Sequence, residues 1–269
     1  MASRIKIKSY VPFLYLGTLE AGANKPILTR GVDDEGIKIS IVVKLMDGER
    51  MSPASALKEV VGAILARRVG LKSPEPFIVD VNHYFIQSRL QMEGYTRLVN
   101  SAGLNYGCKN IEGLELFRPD SVLQKQQEDE ALKIFYFDML IQNPDRAHAR
   151  GKPNLFAIGT DFWLLDHELA FSFLVPIIGR PKSEPWAFND SDKDLIENHI
   201  LYRHLKGKTL NFAILDSFLD PLDIAFWDEL KEVIPPDWDT GDFELIKNHI
   251  DQIKENKENF IEQIKNLLS

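Results

Sequence analysis

The chain has 269 residues, of which 44% are hydrophobic and 27% charged, enough for one large globular domain or two modest lobes around a real core. Lysine and arginine number 32 against 40 aspartates and glutamates, a formal charge of −8, so the bulk field repels polyphosphates and anionic membrane surfaces and disfavours direct nucleic-acid binding. The single cysteine, Cys108, excludes an intrachain disulfide and a cysteine zinc cluster, and no run of about eighteen apolar residues is present, so a soluble protein of the reducing cytoplasm without a membrane segment is expected.

The opening MASRIKIKSYVPFLYLG sets basic residues before a short apolar run that contains Pro12, and reads as a first strand rather than a signal segment. Ile5 and Ile7 alternate with Lys6 and Lys8, and further strands are predicted over 26–30 and 37–45. In the last of these Ile37, Ile39, Ile41, Val43 and Leu45 share one face, while Lys38, Ser40, Val42 and Lys44 take the other, because strand side chains alternate. Residues 53–69 predict a helix on which Leu57, Val60, Val61, Ile64, Leu65 and Val69 recur at helical spacing, with Ser52 as its cap, Pro53 in its first turn and Gly70 as its stop. Beyond Pro74 and Pro76, the runs 77–81 and 84–87 read as a hairpin, completing a β-β-β-α-β-β order.

Residues 91–127 mix Gly, Asn, Pro and Gln without a firm period and read as a connecting region that includes GLNYGCKNIEG. Glu128, Asp129 and Glu130 then precede ALKIFYFDMLIQ, apolar almost all round, which predicts a deeply buried helix over 128–142. Asn143-Pro144-Asp145 breaks it, a loop follows, and 154–158 with 162–166 predict a tight hairpin about Gly159-Thr160. Amphipathic runs near 192–206, 222–233 and 242–268, separated by Pro221 and Ile234-Pro235-Pro236, predict a helical end.

Four features stand in order: Lys44 on a strand, Glu59 in the next helix, Asp145 with Asn154 about a loop, and Asp166 ending a hairpin strand. Their order resembles a kinase. Phosphoryl transfer needs a cation on the phosphates, an oxygen cage for magnesium and a carboxylate facing the attacking hydroxyl. In that reading Lys44 holds the phosphates, Glu59 fixes its ammonium, Asp145 is the base, and Asn154 and Asp166 offer Mg²⁺ hard oxygens. Taken singly, Lys44 is a strand lysine facing water, Glu59 lies on a solvated helix flank beside Lys58, Asp145 is a turn residue after Pro144 and Asn154 a strand-edge polar group. Asp166 differs, because a carboxylate between Trp163-Leu164-Leu165 and Leu169-Ala170-Phe171 must have its charge compensated. Arg146 reads as a structural partner of a carboxylate in the loop, and His167 as a core imidazole.

FDMLIQNPDRAHARGKPNL and LLDHELAF resemble the catalytic loop and the metal-binding segment of HipA-like kinases, through FD-x-LI-x-N-x-DR, PNL and DHE-x-AF. PILTRGVDDEGIKISIVVKL and LKEVVGAILARRVGLKSPEP are similar to the same family's lysine strand and acidic helix, so the resemblance spans roughly residues 20 to 171. It implies an α+β, bilobal protein-kinase-like fold related to protein and lipid kinases, with a β-rich N-lobe over 1–115 and a helical C-lobe over 116–269. It implies ATP with Mg²⁺ between the lobes and transfer of the γ-phosphoryl group to a protein Ser or Thr hydroxyl. Larger relatives are growth-arresting toxins held in check by a partner, which implies a toxin-like regulator with a small inhibitory partner protein. The protein substrate is not legible. Thr18 and Thr29 are candidate regulatory hydroxyls.

Two departures stand out. His148, Ala149, Arg150, Gly151 and Lys152 lengthen the loop between Asp145 and Asn154 beyond typical protein kinases, and their basic members are candidates for substrate or phosphate contact. No GxGxxG occurs, so Gly22, Asn24 and Lys25 of Ala21-Gly22-Ala23-Asn24-Lys25 are the candidate phosphate-covering contacts beside Lys44. Two other readings stay open here. One is a catalytically silent kinase fold serving as a binding scaffold. The other is a metal-dependent hydrolase using Asp145, His148, Asp166, His167 and Glu168, which gives Lys44 no task and needs neighbours on a strand to face one ion.

Overall fold

Alternating side chains build the first sheet, and a computed structural model describes it together with the rest of residues 4–20, 24–48, 51–148, 153–175 and 179–269. The chain forms two compact units, one of Met1–Val60, Pro74–Glu112 and Glu229–Thr240, the other of Val61–Ser73, Gly113–Asp228 and Gly241–Ser269.

In the first unit, β1 (Lys8–Thr18), β2 (Ile27–Asp33), β3 (Lys38–Lys44), β4 (Pro76–Val81) and β5 (Gly103–Lys109) close into a barrel in the order β1-β2-β3-β5-β4. The N-lobe reading expects a twisted antiparallel sheet, and one parallel pairing, Lys8↔Phe77 to Tyr10↔Val79, which joins β1 to β4, corrects it. Tyr10, Ile27, Ile41, Val43, Leu45, Phe77, Val79 and Val81 fill the interior, the side that the alternation in β3 marks as apolar.

The predicted strand 84–87 is a helix, α2 (His83–Gln87), following the helix α1 (Pro53–Arg68) in the chain. Asn82 caps α2 by accepting the Phe85 N–H at 3.1 Å, and only Phe85 and Ile86 bury while Tyr84 stays 85% exposed, so the run serves a helix rather than a two-sided strand. Together with α3 (Tyr95–Asn100), α2 adds Phe85, Ile86 and Leu98 to the barrel core. The last strand comes instead from β5, inside the stretch that reads as a connector. Its buried members include Asn105 and Gly107, which give no apolar alternation. A Cβ on Gly107 would stand 2.6 Å from Val79 Cγ2 and 2.7 Å from Ile41 Cγ2, so the interior has room only for glycine there. Asn105 is satisfied by the Met46 N–H on its Oδ1 at 2.7 Å and by donating to the Ser101 and Gly103 carbonyls.

Helix α1 starts as expected, with Ser52 Oγ accepting the Ser55 N–H at 3.1 Å, and stops at Gly70, whose φ of +86° suits glycine. Its residues to Val60 belong to the first unit and those after it to the second.

The second unit is built on α4 (Glu128–Leu140), where Leu132, Phe135, Tyr136, Phe137 and Leu140 are all fully buried, as an all-round apolar helix requires. A small antiparallel sheet orders β6 (Glu115–Leu116), β7 (Leu155–Ile158) and β8 (Asp161–Leu164) as β6-β7-β8. The predicted run 192–206 is split into α5 (Lys193–Glu197) and α6 (Tyr202–Leu205). The cause is local, because the backbone between them bonds the loop after α4 instead of continuing the helix: Ile200 N–H donates to the Arg146 carbonyl at 2.9 Å and His148 N–H to the Asn198 carbonyl at 2.8 Å. Helix α7 (Ile224–Val233) follows, and the run 242–268 divides at Asn256 into α8 (Asp242–Glu255) and α9 (Lys257–Leu268). No described helix is long and apolar enough to cross a membrane.

Candidate active site

Lys44 ends β3 on the face opposite the barrel interior and is nonetheless buried, because α1 lies against it and the ammonium donates to Glu59 Oε1. Glu59 is only 1% exposed, so the solvated-flank reading of that helix face is corrected. Ala56, Ala63 and Ala66 let α1 pack closely beyond its Leu57-Val60-Val61-Ile64 stripe, and Lys58 is buried with it. In the same unit, Arg97 on α3 binds Asp47 Oδ2 through Nε at 2.7 Å and reaches the Lys25 and Asn24 carbonyls at 2.9 and 3.1 Å. Asn24 and Lys25 are thus anchored through their backbone, with Lys25 exposed at φ +40°. Gly22 lies outside the described residues. Thr29 is fully buried, bonded to Tyr10 Oη at 3.1 Å and donating to the Ile41 carbonyl, so as a regulatory hydroxyl it is corrected; Thr18 sits at the strand end against Tyr15 Oη.

In the second unit, Asn154 Nδ2 donates to Asp145 Oδ2 at 2.5 Å, joining two of the residues singled out in the sequence. Asp145 is also held through its backbone, its N–H donating to Asn143 Oδ1 at 3.1 Å. Asp166 follows the partner strand: Leu155 pairs with Leu164, and Leu165 N–H donates to the Asn154 carbonyl at 3.1 Å, so Asn154 and Asp166 occupy neighbouring ends of the β7/β8 ladder. Both adopt left-handed backbone, φ +51° and +63°, which Asn and Asp tolerate better than most residues but at a cost in energy. Asn154 Oδ1 makes no hydrogen bond among the described residues, and with the Asp166 carboxylate it offers the hard oxygen chemistry that Mg²⁺ takes.

Beneath these residues lies a charged knot. Asp138 of α4 and Arg146 are wholly buried, with Nε on Oδ2 at 2.9 Å and Nη2 on Oδ1 at 3.2 Å, and the His199 ring donates from Nε2 to Oδ2 at 3.0 Å. Leu201 N–H donates to His199 Nδ1 at 3.1 Å, which places the ring proton on Nε2. Burial alone would raise the Asp138 carboxyl, but the Arg146 charge and the His199 N–H outweigh it and hold it at about 2. Burial likewise depresses His199 below its ordinary value and keeps it neutral.

A family model described as HipA-like kinase matches residues 15–266, nearly the whole chain. The chain belongs to the HipA-like kinase family. A search of curated proteins found no match. Among solved structures, a Helicobacter pylori proinflammatory kinase, CtkA, is 12% identical, with 97% of this chain and 99% of that one covered at a TM-score of 0.48.

Within this HipA-like chain the partner of Arg146 is Asp138, eight residues back on α4, rather than a carboxylate of the loop. Asp138 and Arg146 are the first Asp and the Arg of the FD-x-LI-x-N-x-DR stretch, but the motif alone does not pair them, and His199 lies outside it. The available signal is a lone carboxylate in a helix apolar all round, which demands a buried counter-charge. His167 is buried and packs edge-on to Phe137. Asp166, His167 and Glu168 lie past the end of β8 at Leu164, so strand alternation does not separate them as expected. Even so, among the described residues no three of Asp145, His148, Asp166, His167 and Glu168 bring ligand atoms within 4.8 Å of one another, which disfavours the hydrolase reading. Of the long loop, Ala149, Arg150, Gly151 and Lys152 lie outside the described residues.

Proposed function

We propose that this chain is an ATP- and Mg²⁺-dependent kinase that transfers the γ-phosphoryl group to a Ser or Thr hydroxyl of a protein. The observation that carries the reading is the Asp145–Asn154 hydrogen bond with Asp166 on the adjoining strand end, inside the stretch matched to the HipA-like kinases. Asp145 takes the proton of the acceptor hydroxyl as its oxygen bonds to the γ-phosphorus, and the bond to the departing ADP oxygen breaks. The Asn154 amide bond keeps that carboxylate oriented. Lys44, seated on Glu59, contacts the phosphates, and Gly22, Asn24 and Lys25 are the residues assigned to cover them, Asn24 and Lys25 being anchored through their carbonyls by Arg97. Asn154 Oδ1 and the Asp166 carboxylate would hold Mg²⁺, which supplies charge neutralisation of the phosphate oxygens when bound.

The division into lobes 1–115 and 116–269, a cytoplasmic location and toxin-like action checked by a small partner protein belong to the same proposal, and rest on the family resemblance. The test is transfer of labelled γ-phosphate from ATP to host proteins, compared for the wild type, Asp166→Asn and Asp145→Ala. Transfer by wild type that both variants lose supports the kinase. Neither nucleotide binding nor turnover by wild type would overturn it in favour of a silent scaffold.

A further inference from the structure

Arg146 distributes its donors in a way that a purely stabilising ion pair does not require. Nε and Nη2 grip Asp138 as a fork, while Nη1 donates to two backbone carbonyls, those of Asn154 at 2.5 Å and Leu165 at 3.0 Å. One carbonyl belongs to a candidate Mg²⁺ ligand and the other to the residue just before the second. We propose that Arg146, fixed by Asp138 and His199, is a positioning residue that sets the separation of Asn154 and Asp166 and thereby the cation that the site accepts. This rests on the kinase reading above, and adds to it how the site distinguishes metals.

Three observations carry it. Asn154 and Asp166 both hold left-handed backbone, which persists only where the surroundings over-determine it, and a single guanidinium nitrogen ties both segments. Asp138 is itself immobilised, accepting from Arg146 twice, from His199 Nε2 and from Asn143 Nδ2 at 3.3 Å, so the fork cannot rotate away. Asn143 in turn bonds the Asp145 N–H, so one carboxylate sets the base and both metal candidates in a common frame. As a stability device such a buried pair is poor, because desolvation offsets most of its attraction. As a spacer it suits Mg²⁺, which needs near-octahedral ligands at short, fixed distances where larger cations tolerate slack.

The experiment is calorimetric titration of Mg²⁺ and of Mn²⁺ into the protein with a non-hydrolysable ATP analogue, alongside turnover with each metal. Lysine keeps the charge of Arg146 but not the fork. Arg146→Lys is expected to weaken Mg²⁺ binding by about tenfold or more, the usual range when a group supporting a metal ligand is lost, and Mn²⁺ binding by much less. Turnover should follow, recovering in Mn²⁺ with the ATP KM little changed. Should Arg146→Lys fail to fold, His199→Phe removes one donor from Asp138 and is expected to shift the same ratio by roughly threefold, while His199→Gln, which retains a donor, restores it. An unchanged Mg²⁺/Mn²⁺ ratio in folded Arg146→Lys, or in His199→Phe, overturns the inference and leaves the kinase reading standing. Wild type that binds neither metal with the nucleotide overturns both.

Discussion

The two units each bury a cation against a carboxylate, and they do so differently. In the first, Lys44 meets Glu59 with a compact ammonium on a flexible stem, and the lysine keeps 9% of its surface exposed. In the second, Arg146 and Asp138 are closed off entirely and engaged through fork, ring and backbone carbonyls. A lysine pair can yield to an arriving phosphate, whereas a planar guanidinium held by four hydrogen bonds, two to Asp138 and two to backbone carbonyls, is far less free to do so. Burial of charge therefore serves exchange in one place and fixation in the other. The sharpest way to break this contrast is to remove each cation. Arg146→Met leaves the Asp138 carboxyl enclosed without its counter-charge, and is expected to cost about 3–5 kcal/mol, roughly a 10 °C fall in Tm by calorimetry. A loss no larger than that of the matching Lys44 variant would show that the two pairs do the same job.

Acid probes the fixed side next. Burial, with Lys182 nearby, drives the His249 imidazole from 6.5 down to about 4 although its Nε2 donates to the Leu140 carbonyl. The unfolded chain therefore takes up a proton near 6.5 that the folded one refuses until about 4, so stability is full above that window and falls as pH drops through it. The loss at the bottom of the window is up to about 3 kcal/mol. His199 is depressed for the same reason and adds in the same direction. Asp138 has the usual carboxylate sign: its contribution survives above its ordinary 3.8 and is lost as pH falls toward about 2. Urea midpoints between pH 7 and 4 should decline, and His249→Phe should flatten the slope. Trp238 is the one tryptophan of the first unit, so fluorescence of Trp238→Phe follows the second unit alone. A pH-independent midpoint there would remove the acid sensitivity from the fixed side.

The sequence made the two sides unequally legible. Lys44 and Glu59 lie fifteen residues apart on a strand and the helix after it, and Asp145, Asn154 and Asp166 sit in a short motif-bearing stretch, so local pattern and family resemblance reach them. The Asp138–His199 contact spans 61 residues between a helix and a broken helix, and no period encodes it. The fold divides likewise. Alternation exposes β3, helical spacing exposes α1, and a run apolar almost all round exposes α4. Alternation misses β5 because its inward positions hold Asn105 and Gly107, and mistakes α2 because two aromatics and an isoleucine suit a strand until Asn82 caps them. Burial of Glu59 also escapes pattern, because small alanines, not a second apolar stripe, allow α1 to be covered all round.

Lys44→Met tests the yielding side with a smaller expected cost. Glu59 stays buried without its cation, but the partial exposure of position 44 admits water, so about 1–3 kcal/mol is expected. Adding Glu59→Gln should recover most of that stability in chemical denaturation. Phosphoryl transfer should not recover, remaining down by about a hundredfold or more, since the cation proposed to hold the phosphates is gone. Recovery of transfer in the double variant would make the pair structural and erase the distinction from Arg146.

The smallest effect concerns a glycine whose substitution should have the wrong sign. Gly62 lies inside α1, where alanine ordinarily stabilises a helix by about 0.5–1 kcal/mol. A Cβ there would stand 2.6 Å from His167 Cβ and 2.7 Å from its Cγ, closer than such atoms approach, so the imidazole must move. It has little freedom to do so, being 1% exposed, edge-on to Phe137 and joined directly to Asp166 in its left-handed backbone. Overpacking of about 1–3 kcal/mol should therefore exceed the helical gain and leave Gly62→Ala roughly 1 kcal/mol less stable. Because the displaced residue adjoins Asp166, kcat should fall severalfold at unchanged ATP KM. A stabilised Gly62→Ala with full turnover would mean that the segment carrying Asp166 adjusts at no cost, and the second unit would then have no claim to rigidity at the place where metal is expected to bind.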